Sequence, residues 1–279
     1  MLRLLNIKSF AWLAGATATL LAGGIFVISG AHAQNKEPIK IGFGQSLTGF
    51  LSPNGKQALL GAEIWRDRVN KAGGLLGRQV QLVYYDDKSS PAEVPGIYTK
   101  LLDVDKVDLV VSGYASNQVA PAMPVVIRKG KAFVSLFALD INDKFKYPKY
   151  FSVLPTGPNT KTSFTEGFFD VAAQQKPKPT TVAMALADAE FSQNACEGAR
   201  ENIKKHGMKI VYDKAYPPPP KTTDFTPIVQ ALKAANADIV LICSYPVDSV
   251  GIVEAANEIG LNPKLFGGAM VPSRTLDPI

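Results

Sequence analysis

The chain of 279 residues is poor in the side chains that most often do chemistry, with two cysteines and two histidines. His32 falls in an N-terminal segment read below as a removable signal. The other, His206, follows Lys204-Lys205 at a predicted helix end, where a cation suits the negative pole of the helix dipole. One histidine and two separated cysteines assemble no zinc constellation, no Ser-His-Asp set and no Cys-His set. The expectation is therefore no enzyme, no cofactor and no metal. Cys196 in a predicted helix and Cys243 in a predicted strand, each among core-like residues, read as buried free thiols. The export signal also permits a disulfide, although the sequence does not place the two within bonding distance.

An excess of one charge is scarce too. The formal net charge is +6, but Arg3 and Lys8 leave with the signal, so 28 basic residues remain against 24 acidic ones, a net of +4. The lysines are spread along helices and turns rather than clustered with aromatics, which reads as solvated faces and no nucleic-acid partner, with a slight preference for anions. Past residue 33 no apolar run is long enough to span a bilayer. Before it, Arg3 and Lys8 precede the apolar residues 10–28 and then Ala31-His32-Ala33, the order of a secretory signal peptide cleaved after Ala33. Gly23, Gly24, Thr17 and Thr19 weaken the competing reading as a retained anchor, and no cysteine stands at the cleavage point to take a lipid. The expectation is a soluble periplasmic protein of about 246 residues, enough for two modest lobes.

Apolar strand-like runs alternate with helical patterns at 39–43, 80–85, 108–112, 132–136, 181–186, 209–212 and 238–243, which predicts an α/β fold with parallel sheets. Between the first two, Ala58, Leu59, Ala62, Trp65 and Val69 recur at helical spacing and Gly73-Gly74 ends the segment, so Trp65 is expected in the core. Residues 150–158, with Pro155, Gly157 and Pro158, read as a hinge between two sets of βαβ units. A second candidate hinge is 265–272. The run Pro217 to Pro220 reads as a surface loop, with Asp224 capping the helix that follows. Gly42-Phe43-Gly44 fails as a dinucleotide fingerprint because Leu47 holds the place of the third glycine. Residues 49–56 fail as a phosphate loop in spacing and at Gln57. Asp86-Asp87, after a strand, read as turn formers rather than an acid/base pair.

Other residues carry a resemblance. They are Ile39-Lys40-Ile41-Gly42, Ser46-Leu47-Thr48-Gly49, Gly55, Gly61-Ala62, Asn70-Lys71-Ala72-Gly73-Gly74, Gly77 and Tyr85-Asp86-Asp87, followed by Asp224-Phe225-Thr226 and Leu265-Phe266-Gly267-Gly268. In this order they resemble the leucine/isoleucine/valine-binding family of type I periplasmic binding proteins. The resemblance implies two Rossmann-like lobes with parallel sheets, a ligand clamped between them, and a permease of an ABC transporter in the inner membrane as partner. It implies residues 34–154 as the N-terminal lobe, 155–266 as the C-terminal lobe, and 267–279 as a second hinge crossing that starts the return to the first lobe. The C-terminal part of the fold is then missing, which predicts an open sheet edge and an uncovered apolar surface on the first lobe.

By position, the resemblance puts Ser116 on the ligand's carboxylate, Ala138 where backbone groups meet the ligand, and Phe191 and Tyr245 as aromatic walls. The residues agree in part: Ser116 and Asn117 precede a predicted helix starting at Gln118, whose free N–H groups suit an anion, though a plain helix cap fits as well. Without the resemblance, Phe191 and Tyr245 read as packing residues. The chain departs from the family where Ala269 or Met270 stands for an acid on the ligand's ammonium, Leu139 for a threonine, Asn54 for an aromatic wall, and Ser89 and Ala115 for a disulfide. With Tyr114 and Phe137, the aromatic residues would suit an amide, a keto acid or an aromatic carboxylate as well as an amino acid. The leading reading is a solute receptor of an importer. A ligand-sensing module of a receptor or regulator, and an exported enzyme, are its rivals.

Overall fold

The computed structural model describes residues 37–268, apart from 155 and 219. The predicted signal peptide, Ala269 and Met270, and the remainder of the second hinge lie outside the described residues.

Each predicted strand run pairs in a parallel sheet. The first sheet is built from β1 (Ile39–Gln45), β2 (Val80–Asp86), β3 (Leu109–Val111), β4 (Phe133–Ser135) and β5 (Tyr150–Ser152), in the order β2-β1-β3-β4-β5. The second holds β6 (Thr181–Ala187), β7 (Lys209–Tyr216), β8 (Ile239–Cys243) and β9 (Leu265–Gly268), in the order β7-β6-β8-β9. Parallel pairing needs a crossover between neighbours, and the helical patterns supply it. In order these helices are α1 (Ser52–Lys71), α2 (Val94–Asp103), α3 (Ser116–Val119), α4 (Met123–Arg128), α5 (Asn142–Phe145), α6 (Thr160–Ala173), α7 (Glu190–Lys205), α8 (Thr226–Ala235) and α9 (Pro246–Ile259). β7 runs four residues beyond its apolar pattern because it lies at the sheet edge, where Lys214 is exposed and Asp213 is held by Arg200 at 2.7 Å while their backbones still pair with β6.

The two faces of the first sheet differ. On one, Val94, Tyr98 and Leu101 of α2 and Met123 and Val126 of α4 pack with Val110 and Phe133 into a closed core. Among the described residues the other face is covered by α1 with Leu75 beyond its end, and only Gly55 of that helix is buried. Trp65 is 41% exposed rather than in the core, because among the described residues no second element packs over the stripe it belongs to. Phe137, Phe151 and Val153 are exposed beside it, in a hollow on the sheet or at the β5 edge. Parallel sheets are ordinarily covered on both faces, so this surface is unusual for one.

The second core differs again from expectation. Cys196 and Cys243 are joined in a disulfide between α7 and β8, with Cα atoms 5.8 Å apart, so the free-thiol reading is corrected. Both side chains are fully buried in a cluster with Phe169, Met184 and Ile203. That cluster also takes in Leu51, Tyr114, Ala115 and Leu139 from the first lobe, so the two lobes meet through apolar contact. Among the described residues no helix is long and apolar enough to cross a membrane.

Candidate ligand site between the lobes

Strands of a parallel sheet end on the same side, so the loops that follow them gather at one end of each lobe. The turn after β1 is shaped first. Asp86 accepts hydrogen bonds from the N–H groups of Leu47, Thr48 and Lys88 and from the Thr48 hydroxyl, at 2.7–3.2 Å. Burial pushes this carboxyl up, but the Thr48 hydroxyl and the three amides outweigh it and hold it below its ordinary value. Asp87 accepts from the Ser46 hydroxyl at 2.6 Å and from the Ser89 amide; here burial prevails and the carboxyl is raised. Both carboxylates are therefore committed to turn formation. Gly55 belongs to the same device, since a Cβ there would collide with the Ser46 carbonyl, and its absence lets α1 start directly over the turn. Phe50 and Leu51 are thereby held at the end of the lobe.

After β3 the backbone passes through Ala115 at φ 83° and enters α3. Ser116 is the first helical residue rather than a cap before Gln118, and no side chain caps this helix. The Ser116 hydroxyl, fully buried, accepts the Leu139 N–H at 2.9 Å and so ties the loop after β3 to the loop after β4, where Ala138 is buried. Its own hydrogen is left to donate.

From the second lobe, the Tyr245 hydroxyl donates to Asn117 Oδ1 at 2.8 Å. The Tyr245 ring packs on Phe191 at 5.5 Å and meets Phe50 edge-on at 5.8 Å. Burial lifts the Tyr245 hydroxyl well above its ordinary pKa, which keeps it a neutral donor. Asn194 donates to the Leu139 carbonyl at 2.9 Å, and Lys144 pairs with Glu190 at 2.6 Å, both across the cleft. A cavity of about 530 Å³ opens at the mouth, between Phe50, Ser89 and Asn117 on one side and Asp188, Glu190 and Pro218 on the other.

Ser116, Asn117, Ala138, Phe191 and Tyr245 are thus brought together by the fold. Tyr114 and Phe137 are only partly in this group. They pack on each other at 5.9 Å and line the hollow of about 690 Å³ on the open sheet face, with Phe43, Trp65 and Val153. Phe137 is 48% exposed there. Tyr114 is buried between the two places, its hydroxyl pushed up to about 12 by burial. Phe50 was missed by sequence reasoning, which sought an aromatic wall at Asn54. An aromatic four residues earlier, next to Gly49 at the strand-to-helix turn, was the available signal. Among the described residues no group of His, Cys, Asp and Glu is placed to hold a metal ion.

The sequence matches the family described as periplasmic binding protein over residues 38–277. The chain belongs to that family. Among relatives of this periplasmic binding protein, a Leu/Ile/Val-binding protein homolog 8 of Brucella suis is 26% identical over 88% of this chain and 61% of the relative. The branched-chain amino acid transporter substrate-binding protein LivJ from Streptococcus pneumoniae, solved in complex with isoleucine, superposes with a TM-score of 0.71 at 24% identity, covering 83% of this chain and 64% of that one. A solute-binding protein of an ABC transporter from Rhodopseudomonas palustris, in complex with p-hydroxybenzoic acid, gives 0.70 at 24% identity over 82% and 61%. The chain spans about three fifths of the length of these proteins.

Proposed function

We propose that this chain is the ligand-capturing component of an ABC importer, exported to the periplasm, whose residues 34–154 and 155–266 form two lobes that close on a small carboxylate ligand and present the closed form to a permease. The observation that carries this reading is the bridged cleft. Tyr245 reaches Asn117 across it, Phe50, Phe191 and Tyr245 form an aromatic wall, and the Ser116 hydroxyl stands in the first turn beyond β3 with a hydrogen to donate. A ligand with a flat apolar body and an anionic end suits those groups, because aromatic faces bury the body and a hydroxyl and helix-start amides take the charge. The kinship with proteins holding isoleucine or p-hydroxybenzoic acid points to the same ligand range. Three aromatic rings in the wall favour an aromatic or keto acid over an α-amino acid. A thermal-shift panel of isoleucine, leucine, 4-hydroxybenzoate, 3,4-dihydroxybenzoate and simple carboxamides tests the reading. A true ligand at a hundred times its Kd stabilises by about 2.7 kcal/mol. Turnover of the ligand by the pure protein would sink the receptor reading in favour of an enzyme. A panel without any concentration-dependent shift would remove the ligand class.

A further inference from the structure

One buried hydrogen decides which way a neighbouring amide is turned. The Tyr245 ring is enclosed by Phe50 and Phe191, and only 1% of the residue is exposed. Its hydroxyl donates to Asn117 Oδ1 at 2.8 Å, and among the described residues no other acceptor takes that hydrogen. Burial and the nearby Tyr114 push this phenol well above its ordinary pKa against the opposing Phe191 N–H, so the hydrogen stays in place. The two ends of a side-chain amide are alike in shape, and hydrogen bonding alone distinguishes its two orientations. Turned the other way, Asn117 would set its Nδ2 hydrogens against the phenol hydrogen. A buried donor would then stand unpaired, which disfavours that orientation by about tenfold or more.

With Oδ1 held by Tyr245, Nδ2 is the end left for the cavity of about 530 Å³ that Asn117 lines. Gln118, the next residue, differs, since its amide nitrogen and oxygen are both sealed without partners. The Asn117 Nδ2 is not sealed, and it makes no hydrogen bond among the described residues. Across the cavity stand Asp188, which accepts from Gln193 at 2.6 Å, and Glu190, which accepts from Lys144 at 2.6 Å. Carboxylates on that wall repel an anionic group and direct it to the neutral donor opposite. The volume falls within the usual range for a small-molecule pocket, about 300 to 1,000 Å³.

We propose that Asn117 is a specificity-determining donor of the cleft, and that Tyr245 is the positioning residue that locks its amide with the N–H₂ end towards the ligand. The inference rests on the reading of the cleft as a carboxylate site and deepens it by fixing which way round the ligand lies. The acid end meets Asn117, and the apolar body lies against Phe50. An acid brings two acceptor oxygens and no donor to the Asn117 hydrogens. The matching carboxamide brings one acceptor, and its own N–H₂ group meets donors. The lock therefore selects a carboxylate over the corresponding amide. A hydrogen bond to a charged acceptor is about twice as strong as one to a neutral acceptor, so the acid should bind about five- to tenfold tighter.

Two measurements on the full chain test this. Neutron diffraction from crystals of the free, deuterated protein locates the exchangeable hydrogens directly. The Tyr245 hydrogen is expected on the line to Asn117 Oδ1, with both Asn117 amide hydrogens on the cavity side. Calorimetry then compares two matched pairs of probes, 4-hydroxybenzoate with 4-hydroxybenzamide and isoleucine with isoleucinamide. Asn117→Asp keeps an oxygen for Tyr245 and replaces the donor by a second oxygen. It should weaken the acid by about a hundredfold and its amide by no more than about threefold, which reverses the preference. Tyr245→Phe keeps the ring and frees the Asn117 amide to turn, so the acid's advantage should shrink to within about twofold. A role confined to packing would weaken both members of a pair alike. An amide turned the other way in the neutron map overturns the inference whatever binds, and so does an acid-to-amide ratio that neither substitution moves. If neither acid binds the wild type although the amide is oriented as stated, the reading of the cleft as a carboxylate site falls, and the inference falls with it.

Discussion

Opening the Cys196–Cys243 bond is expected to destabilise the second lobe by about 4 kcal/mol and to loosen one wall of the cleft. The two cysteines are 47 residues apart in sequence. Closing a loop of that length restricts the unfolded chain, and the loop-entropy relation gives about 4 kcal/mol at room temperature. Against a net stability of about 5 to 15 kcal/mol for an ordinary domain, that is a large share. The bond also has a local task. Cys196 stands five residues after Phe191 on α7, and Cys243 two residues before Tyr245, so the link joins the two elements that bring the Phe191 and Tyr245 rings to 5.5 Å. Urea unfolding of the oxidised protein, of the reduced protein and of Cys196→Ala/Cys243→Ala measures the cost. With a slope of about 2 kcal/mol per molar, the midpoint should fall by about 2 M on reduction. The reduced wild type controls for the small voids left by the double substitution, since it keeps both sulfur atoms. Two thiols titrated in the unreduced, unfolded protein would refute the pairing. Coincident midpoints for the oxidised and reduced forms would refute the loop argument.

Ser116→Ala should weaken binding of a carboxylate probe by about 1 to 2 kcal/mol, because one hydroxyl donor to a charged group is lost, and should also lower the melting temperature, because the buried Leu139 N–H loses its acceptor; unchanged affinity by calorimetry rejects the assignment. Tyr245→Ala should cost more affinity than Phe191→Leu, since it removes a ring and the hydrogen bond to Asn117 together, while the leucine retains most of the apolar contact. Equal, negligible losses would return both to packing. Asp238 caps the start of the second sheet: Lys264 pairs with it and Thr180 donates to it through its amide and its hydroxyl, which hold the carboxyl far below its ordinary value. A depressed pKa contributes stability that is present above the unfolded value and lost as pH falls through the folded one, so Asp238→Asn should melt earlier at neutral pH and converge on the wild type in strong acid. A constant difference at every pH would contradict that account.

Much of the architecture was legible in the residues themselves. Seven apolar runs spaced by helical patterns specify parallel βαβ units because side-chain periodicity is a local property, written in neighbours two to four positions apart. The roles of Asp86 and Asp87 were legible for the same reason, since the amides of Lys88 and Ser89 that they accept lie two residues further on. The glycine runs at 42–44 and 49–56 were likewise legible as departures from the nucleotide-binding motifs, because those motifs are fixed by local spacing. What the chain could not disclose by itself was whatever depends on residues far apart in sequence. Trp65 carries a core-like spacing, yet its burial is decided by whether another element packs over α1, and among the described residues none does. Cys196 and Cys243 looked like two separate buried thiols until α7 and β8 were packed together. Ser116 looked like a helix cap until the loop after β4 delivered the Leu139 amide to its oxygen. Phe50 became a wall of the cleft, and Asn117 an acceptor for Tyr245, only when a contact across 128 residues closed one lobe onto the other. Periodicity identifies which face of an element is apolar, but the partner that covers it is chosen by the packing of the whole chain, because burial free energy depends on contacts made and not on the sequence distance between them.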